Sequence, residues 1–213
     1  MEALGIADIK AIVGGIAAIM ADRKDELTTL DGAMGDGDLG LTMEKAFTAA
    51  RDEAAALDEA DAGKFLQKLG MVMARTAPST MGTLAATGFM SGGKAVVGLS
   101  SLGPKEVAAF FQAFVAGIMQ RGKSKPGEKT IVDVLFPAAQ AISKAVDSGG
   151  GLAEAFRACR AAAAQGRVDA QGMMAQHGRV AYYQEQSIGK DDPGAVAGTY
   201  ILQGFCDHVD GRA

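Results

Sequence analysis

With 213 residues the chain is long enough to bury a full hydrophobic core as one domain, residues 1–213, and leaves little room for a second compact unit. Hydrophobic residues make up 48% and charged residues 22%, which excludes a disordered polymer, and a formal net charge of -4 without a basic block gives no electrostatic reason to expect nucleic acid or an anionic membrane as partner. Two cysteines, Cys159 and Cys206, and two histidines, His177 and His208, exclude a disulfide framework and a zinc site built from several thiolates or imidazoles; oxygen ligands must carry any metal chemistry, and a reducing cytoplasm is the expected setting.

Alanine, leucine and methionine recur in long stretches separated by glycine- or proline-marked breaks, and strand signals are scarce, so the chain reads as all-α. In chain order the predicted helices are 5–22, 42–56, 60–77, 82–98, 104–121, 131–147, 152–165 and 195–209. The apolar run at 11–21 is too short to span a bilayer and is closed by a charged Asp-Arg-Lys-Asp-Glu cluster, so it reads as a buried helix. Val107, Phe110, Phe111, Phe114, Val115 and Ile118 follow helical spacing, as do Val132, Leu135, Phe136 and Ala139, which marks two core-facing helices of a bundle. Between the helices lie segments rich in Gly, Asp, Pro, Ser and Thr, at 31–41, 78–83, 122–130 and 187–194; short connections in a bundle bring such loops to a shared rim. Lys123, Lys125 and Lys129 read as a solvated basic turn, a reading kept for Lys125, and His177 and His208 read as structural or exposed.

The most informative segment is Leu30-Asp31-Gly32-Ala33-Met34-Gly35-Asp36-Gly37-Asp38-Leu39-Gly40. Three carboxylates so close repel one another unless a cation neutralises them, and Mg2+ prefers hard oxygen ligands completed by water and phosphate. The glycines allow tight turns that aim the carboxylates inward. An EF-hand is excluded because Asp-x4-Asp-x-Asp lacks its ligand order and its closing glutamate. The competing reading is that Asp36 and Asp38 only cap the helix beginning near Thr42. A loop leading into a helix also points backbone N–H groups at whatever lies before Leu41 and Thr42, a favourable place for phosphate.

Leu-Asp-x4-Gly-Asp-Gly-Asp-x-Gly followed by Met43 resembles the metal-binding signature of the DhaL, or DAK2, family of dihydroxyacetone kinases. Arg121-Gly122-Lys123, then Pro126-Gly127-Glu128-Lys129-Thr130 with Asp133, is similar to a second family stretch; Gly178-Arg179-Val180-Ala181-Tyr182 and Ser187-Ile188-Gly189 with Asp192-Pro193-Gly194 are similar to a third and a fourth. The resemblance implies an antiparallel eight-helix barrel whose loops at one rim bind two Mg2+ ions and ADP or ATP. It implies that Asp31, Asp36 and Asp38 hold the metals, that Leu39, Gly40, Leu41 and Thr42 approach the phosphates, and that Ser79, Thr80, Met81 and Gly82 hold the β-phosphate. Gly122, Ile131 and the turn Asp192, Pro193 and Gly194 then border the adenosine, and Arg179 reaches toward the nucleotide. It also implies a separate DhaK-like subunit carrying the hydroxyketone, with either exchangeable ATP or a retained ADP rephosphorylated by a phosphotransferase-system protein as donor.

Two departures stand out. Leu39 occupies the position where the family usually has His, which removes any side-chain role there but leaves the backbone. The segment Pro78-Ser79-Thr80-Met81-Gly82-Thr83 has fewer glycines than its family counterpart, and Pro78 lacks an N–H. Because the three aspartates read as metal ligands, no residue of this chain is assigned as a catalytic base. Two other readings use the same aspartates: a non-catalytic nucleotide-binding module that docks on a regulator or enzyme, and a metal-dependent hydrolase that acts without a partner.

Overall fold

The computed structural model describes residues 2–211, and the periodic apolar stretches do fold as helices. Among these residues nine α-helices occur: α1 Ile6–Asp22, α2 Lys24–Gly32, α3 Leu39–Ala56, α4 Ala62–Thr76, α5 Thr80–Ala95, α6 Pro104–Gly122, α7 Val132–Asp147, α8 Leu152–Gln171 and α9 Pro193–Asp210. A 3-10 stretch, Arg179–Ser187, lies between α8 and α9.

The architecture is the predicted eight-helix ring with one addition. Helix α1 packs on α3, each later helix packs on its successor, and α9 returns to α1. The seam is antiparallel: His208, near the end of α9, lies 3.0 Å from Asp8 at the start of α1. Successive helices alternate in direction, so α3, α5, α7 and α9 all begin at one rim. At the opposite end two short strands, β1 Leu4–Gly5 and β2 Ser101–Leu102, pair antiparallel with Leu4 opposite Leu102.

The extra helix is α2, which lies against α3 and α9 outside the ring. Its sequence KDELTTLDG carries no apolar stripe, and only Leu27 is fully buried. Polar anchors hold it instead: the Tyr200 hydroxyl donates to Glu26 at 2.7 Å, and Lys24 pairs with Glu44 at 3.3 Å. Helices α3, α5 and α9 each begin two or three residues earlier than apolar spacing predicts, because their first turns are built from capping residues and small or polar residues. The Ser79 side chain accepts from the Gly82 amide at 3.1 Å, and the Asp192 side chain accepts from the Ala195 amide at 2.7 Å, with Pro193 in the first helical position. Helix α8 runs six residues further than predicted, to Gln171.

Inside the ring the largest buried groups are phenylalanines. Phe47 on α3 meets Phe89 on α5, Phe89 meets Phe110 and Phe114 on α6, and Phe111 meets Phe156 on α8 and Phe205 on α9. Most of these contacts are edge-on, the arrangement favoured by the ring quadrupole, and they tie five helices through one continuous cluster. Phe110 touches Phe89, Phe111, Phe114 and Phe205. Replacing it with alanine should destabilise the fold by roughly 3–5 kcal/mol, the cost of a buried aromatic deletion that leaves a cavity. A denaturant midpoint shifted down at unchanged slope is the expected observation.

Candidate functional site

The rim where α3, α5, α7 and α9 begin surrounds an open cleft of about 630 Å³. The acidic loop forms one wall. Asp31 sits in the last turn of α2, and its Oδ2 accepts from the amides of Asp38 (3.0 Å) and Leu39 (3.2 Å). Asp31 therefore caps α3, whereas the side chains of Asp36 and Asp38 make no capping bond. The competing sequence reading, in which those two aspartates serve as helix caps, is not what the chain adopts.

The loop folds tightly because two glycines permit it. A Cβ on Gly35 would overlap the Asp31 carboxylate, and Gly37 lies at φ +72°. The result brings one oxygen each of Asp31, Asp36 and Asp38 within 4.8 Å of one another, Asp31 half-buried and the other two exposed. Burial, then the charges of Asp36 and Asp31, push the Asp38 carboxyl above the usual carboxylate range, while Arg179 acts in the opposite direction. Arg179 approaches from the 3-10 stretch and pairs with Asp36 at 2.9 Å. Converging hard oxygen donors, one of them resisting ionisation, fit a divalent cation such as Mg2+.

The other walls gather residues distant in sequence. Pro78, Ser79, Thr80 and Met81 line the cleft at the start of α5; Gly122, Ser124, Thr130 and Ile131 line it where α6 gives way to α7. Asp192, Pro193 and Gly194 line it at the start of α9, and Leu39 contributes beside the aspartates. Four predicted residues do not line it. Gly40 is buried against α2, where a Cβ would strike the Lys24 carbonyl; Leu41 and Thr42 continue the helix; Gly82 is packed against Ala77.

Sequence reasoning missed several groups. Lys129 is only 1% exposed, although it sits in a turn that composition reads as solvated; Lys125, by contrast, has a side chain 75% exposed, as expected. His177 also lines the cleft, with its Nε2 2.7 Å from Glu128 Oε2, and both described histidines rest on carboxylates rather than standing free. Neither feature had a local signal, since each depends on a partner tens of residues away. Asp192 is buried and its carboxyl is pushed up to about 7, chiefly by burial; Asp133 adds to this, and the Ala195 amide and Lys129 oppose it.

A DAK2 domain model matches residues 33–207. The chain belongs to the DAK2 domain family. It is 30% identical, over 87% of its length and 88% of the relative's, to the ADP-binding subunit DhaL of the PEP-dependent dihydroxyacetone kinase of Escherichia coli K12. It is 31% identical over 91% of its length to the L-erythrulose kinase of Pectobacterium atrosepticum, of which it spans 33%. The dihydroxyacetone kinase of C. freundii, solved in complex with AMP-PNP and Mg2+, superimposes with a TM-score of 0.72 at 20% identity, covering 94% of the DAK2 chain and 34% of the other. No helix among the described residues is long and apolar enough to cross a membrane.

Asp192 gives a pH-dependent prediction. Its folded-state pKa lies above the value of about 4 expected for an unfolded aspartate, so the folded state binds the proton more tightly and loses stability as pH rises from about 4 to 7. Asp192→Asn keeps a capping oxygen without the ionisation. The stability difference, variant minus wild type, should therefore grow in the variant's favour from pH 4 to pH 8, measured by denaturant unfolding at each pH; a flat difference would show that the carboxyl ionises freely in place.

Proposed function

We propose that the chain is the nucleotide-binding subunit of a kinase that phosphorylates dihydroxyacetone or a similar short hydroxyketone, the ketone being held by a DhaK-like partner. The observation that carries this reading is the convergence of Asp31, Asp36 and Asp38 at a rim where helix starts present backbone donors. The similarity over most of the chain to an ADP-binding subunit and the shared fold with a kinase solved with AMP-PNP and Mg2+ support it.

In this reading Asp31, Asp36 and Asp38 hold Mg2+, two ions in the family pattern. Bound Mg2+ supplies the positive charge that neutralises phosphate oxygens during phosphoryl transfer. The protein's own part is placement. Asp31 fixes the loop by capping α3; the first turn of α5, capped by Ser79, offers amides toward the β-phosphate; Arg179 is a cation already at the mouth, paired with Asp36. Ile131, Gly122 and the Asp192-Pro193-Gly194 turn border the adenosine.

Among the described residues no side chain beside the acidic cluster is assigned as a nucleophile or general base, which favours a partner-supplied acceptor over the hydrolase reading. The relatives include kinases of dihydroxyacetone and of erythrulose, so the acceptor class is a three- or four-carbon hydroxyketone. A PEP-dependent relative makes a retained ADP, rephosphorylated by a phosphotransferase-system protein, the donor arrangement to test beside exchangeable ATP. All of these components are expected in the cytoplasm.

Calorimetry of ADP and ATP, with and without Mg2+, on protein stripped of nucleotide tests the reading. Binding should be micromolar or tighter (roughly 8 kcal/mol) and require Mg2+. Asp36→Ala should weaken it by about 100-fold or more, since even groups that only support a metal's ligands cost 10–100-fold. Equal binding of nucleotide without metal, or undiminished binding by the variant, would return the acidic loop to a purely structural role. Phosphoryl transfer on adding a DhaK-like subunit, and none without it, separates the kinase from the non-catalytic module.

A further inference from the structure

Lys129 plays no part in the reading above, yet it is the most heavily committed cation in the molecule. It lies in the left-handed region at φ +57°, an unfavourable conformation for a lysine that persists only when its surroundings fix it. Its side chain supplies that fixing. Nζ donates to the carbonyls of Ala170 (2.8 Å), Gln171 (3.3 Å) and Lys190 (2.7 Å), so all three N–H bonds are used within the protein. Two acceptors are last-turn carbonyls of α8, where a cation is favoured by the helix dipole; the third lies two residues before Asp192.

The turn around Lys129 is equally constrained. Asp133 accepts from the amides of Gly127 (2.6 Å) and Thr130 (2.7 Å), closing the backbone on both sides of the lysine. Ile131, two residues on, packs so tightly on α9 that a Cβ on Gly198 would come within 2.8 Å of its side chain. Asp191 is held separately by Arg167 at 2.6 Å and Gln171 at 2.9 Å.

We propose that Lys129 is a positioning residue for the nucleoside half of the cleft, fixing Ile131 and the Asp192–Gly194 turn relative to each other by joining the turn before α7 to the end of α8 and the approach to α9. The proposal rests on the nucleotide-binding reading of the cleft. Lys129 is not a catalytic residue, because no N–H remains to meet a ligand. Its three bonds go to the end of α8 and the approach to α9 and none goes to the acidic loop, while the turn before α7 that they anchor lies four helices round the ring from α3. Loss of the lysine therefore loosens the nucleoside wall and leaves the metal wall intact.

Two probes separate the walls: Mg·ADP, which uses both, and Mg·tripolyphosphate, which uses the metal wall and the start of α5 but not the nucleoside wall. Calorimetry on Lys129→Met, checked for native helicity at the assay temperature, should show the ADP affinity reduced by about tenfold or more, as for other supporting groups one step removed from a ligand. Tripolyphosphate affinity should match wild type. Unchanged ADP affinity, or equal loss of both ligands, would overturn the assignment. Hydrogen exchange on the wild type tests the same point if the variant fails to fold. Mg·ADP should protect amides 130–134, 170–172 and 192–196 together, and Mg·tripolyphosphate should not; a response at 130–134 and 192–196 without 170–172 would show that the lysine does not couple them. Wild type that binds neither probe overturns the nucleotide reading itself, a result distinct from a wild type that binds both with no role for Lys129.

Discussion

Closing eight helices into a ring forces alternate helices to begin at the same rim. Four helix starts and the connections that precede them must then share one mouth, whatever their separation in sequence, and this places Asp38, Ser79, Ile131 and Asp192 at corresponding positions, each immediately before a helix. The neighbouring helices end at that rim, so opposed dipoles largely cancel over the whole mouth. What survives is local: first-turn amides of α5, and of α3 beyond the one held by Asp31, whereas those of α7 bond to Thr130 and Ile131 and those of α9 to Asp192. Such a surface suits small anionic groups at defined points and not polyanions in general, in keeping with a net charge of -4.

The acidic loop exploits this arrangement at an electrostatic cost. Asp31 spends one oxygen on the amides of Asp38 and Leu39, which makes it both a cap and a member of the cluster. Asp36 and Asp38 are left facing the cleft, and the charge is relieved by Arg179 from a segment whose side chains are mostly exposed. That segment is fastened at its base rather than along its length: the fully buried Ser187 hydroxyl accepts from the Ala175 amide and donates to the Gln184 carbonyl, and His177 rests on Glu128. Arg179 therefore reaches the cluster on a clasped but thinly packed loop, the kind of element that opens at low free-energy cost.

The sequence made the ring helices legible because their buried faces repeat at helical spacing and span several turns. It made the acidic loop legible because three clustered carboxylates with intervening glycines have few cheap structural uses. Helix α2 was illegible for the complementary reason: it is held by Tyr200, Glu44 and a single buried leucine, and none of these leaves a periodic trace in KDELTTLDG. The starts of α3, α5 and α9 were placed late because capping turns look like loops when only apolar spacing is read. The solvated-turn reading was kept for Lys125 alone, but nothing marked Lys129 as buried; its burial depends on carbonyls 41 to 61 residues away, and a carbonyl has no residue identity to read.

The two departures from the family pattern acquire a physical meaning from the backbone. Leu39 is the first residue of α3, is 4% exposed and donates its amide to Asp31, so a side chain there packs against the core while the loop is held by the main chain. Pro78 falls between the end of α4 and the cap of α5, where the Ser79 amide bonds to the Ala77 carbonyl and the Ser79 hydroxyl receives Gly82. An N–H at position 78 has no structural task in this turn, and the proline's fixed φ pre-forms the entry to the helix. What the substitution removes is an amide that a more flexible, glycine-rich loop could turn toward a phosphate. In the proposed nucleotide site, the Ser79 hydroxyl and the first-turn amides of α5 would then do that work from a more rigid frame, which trades adaptability at the phosphate for a lower ordering cost on binding.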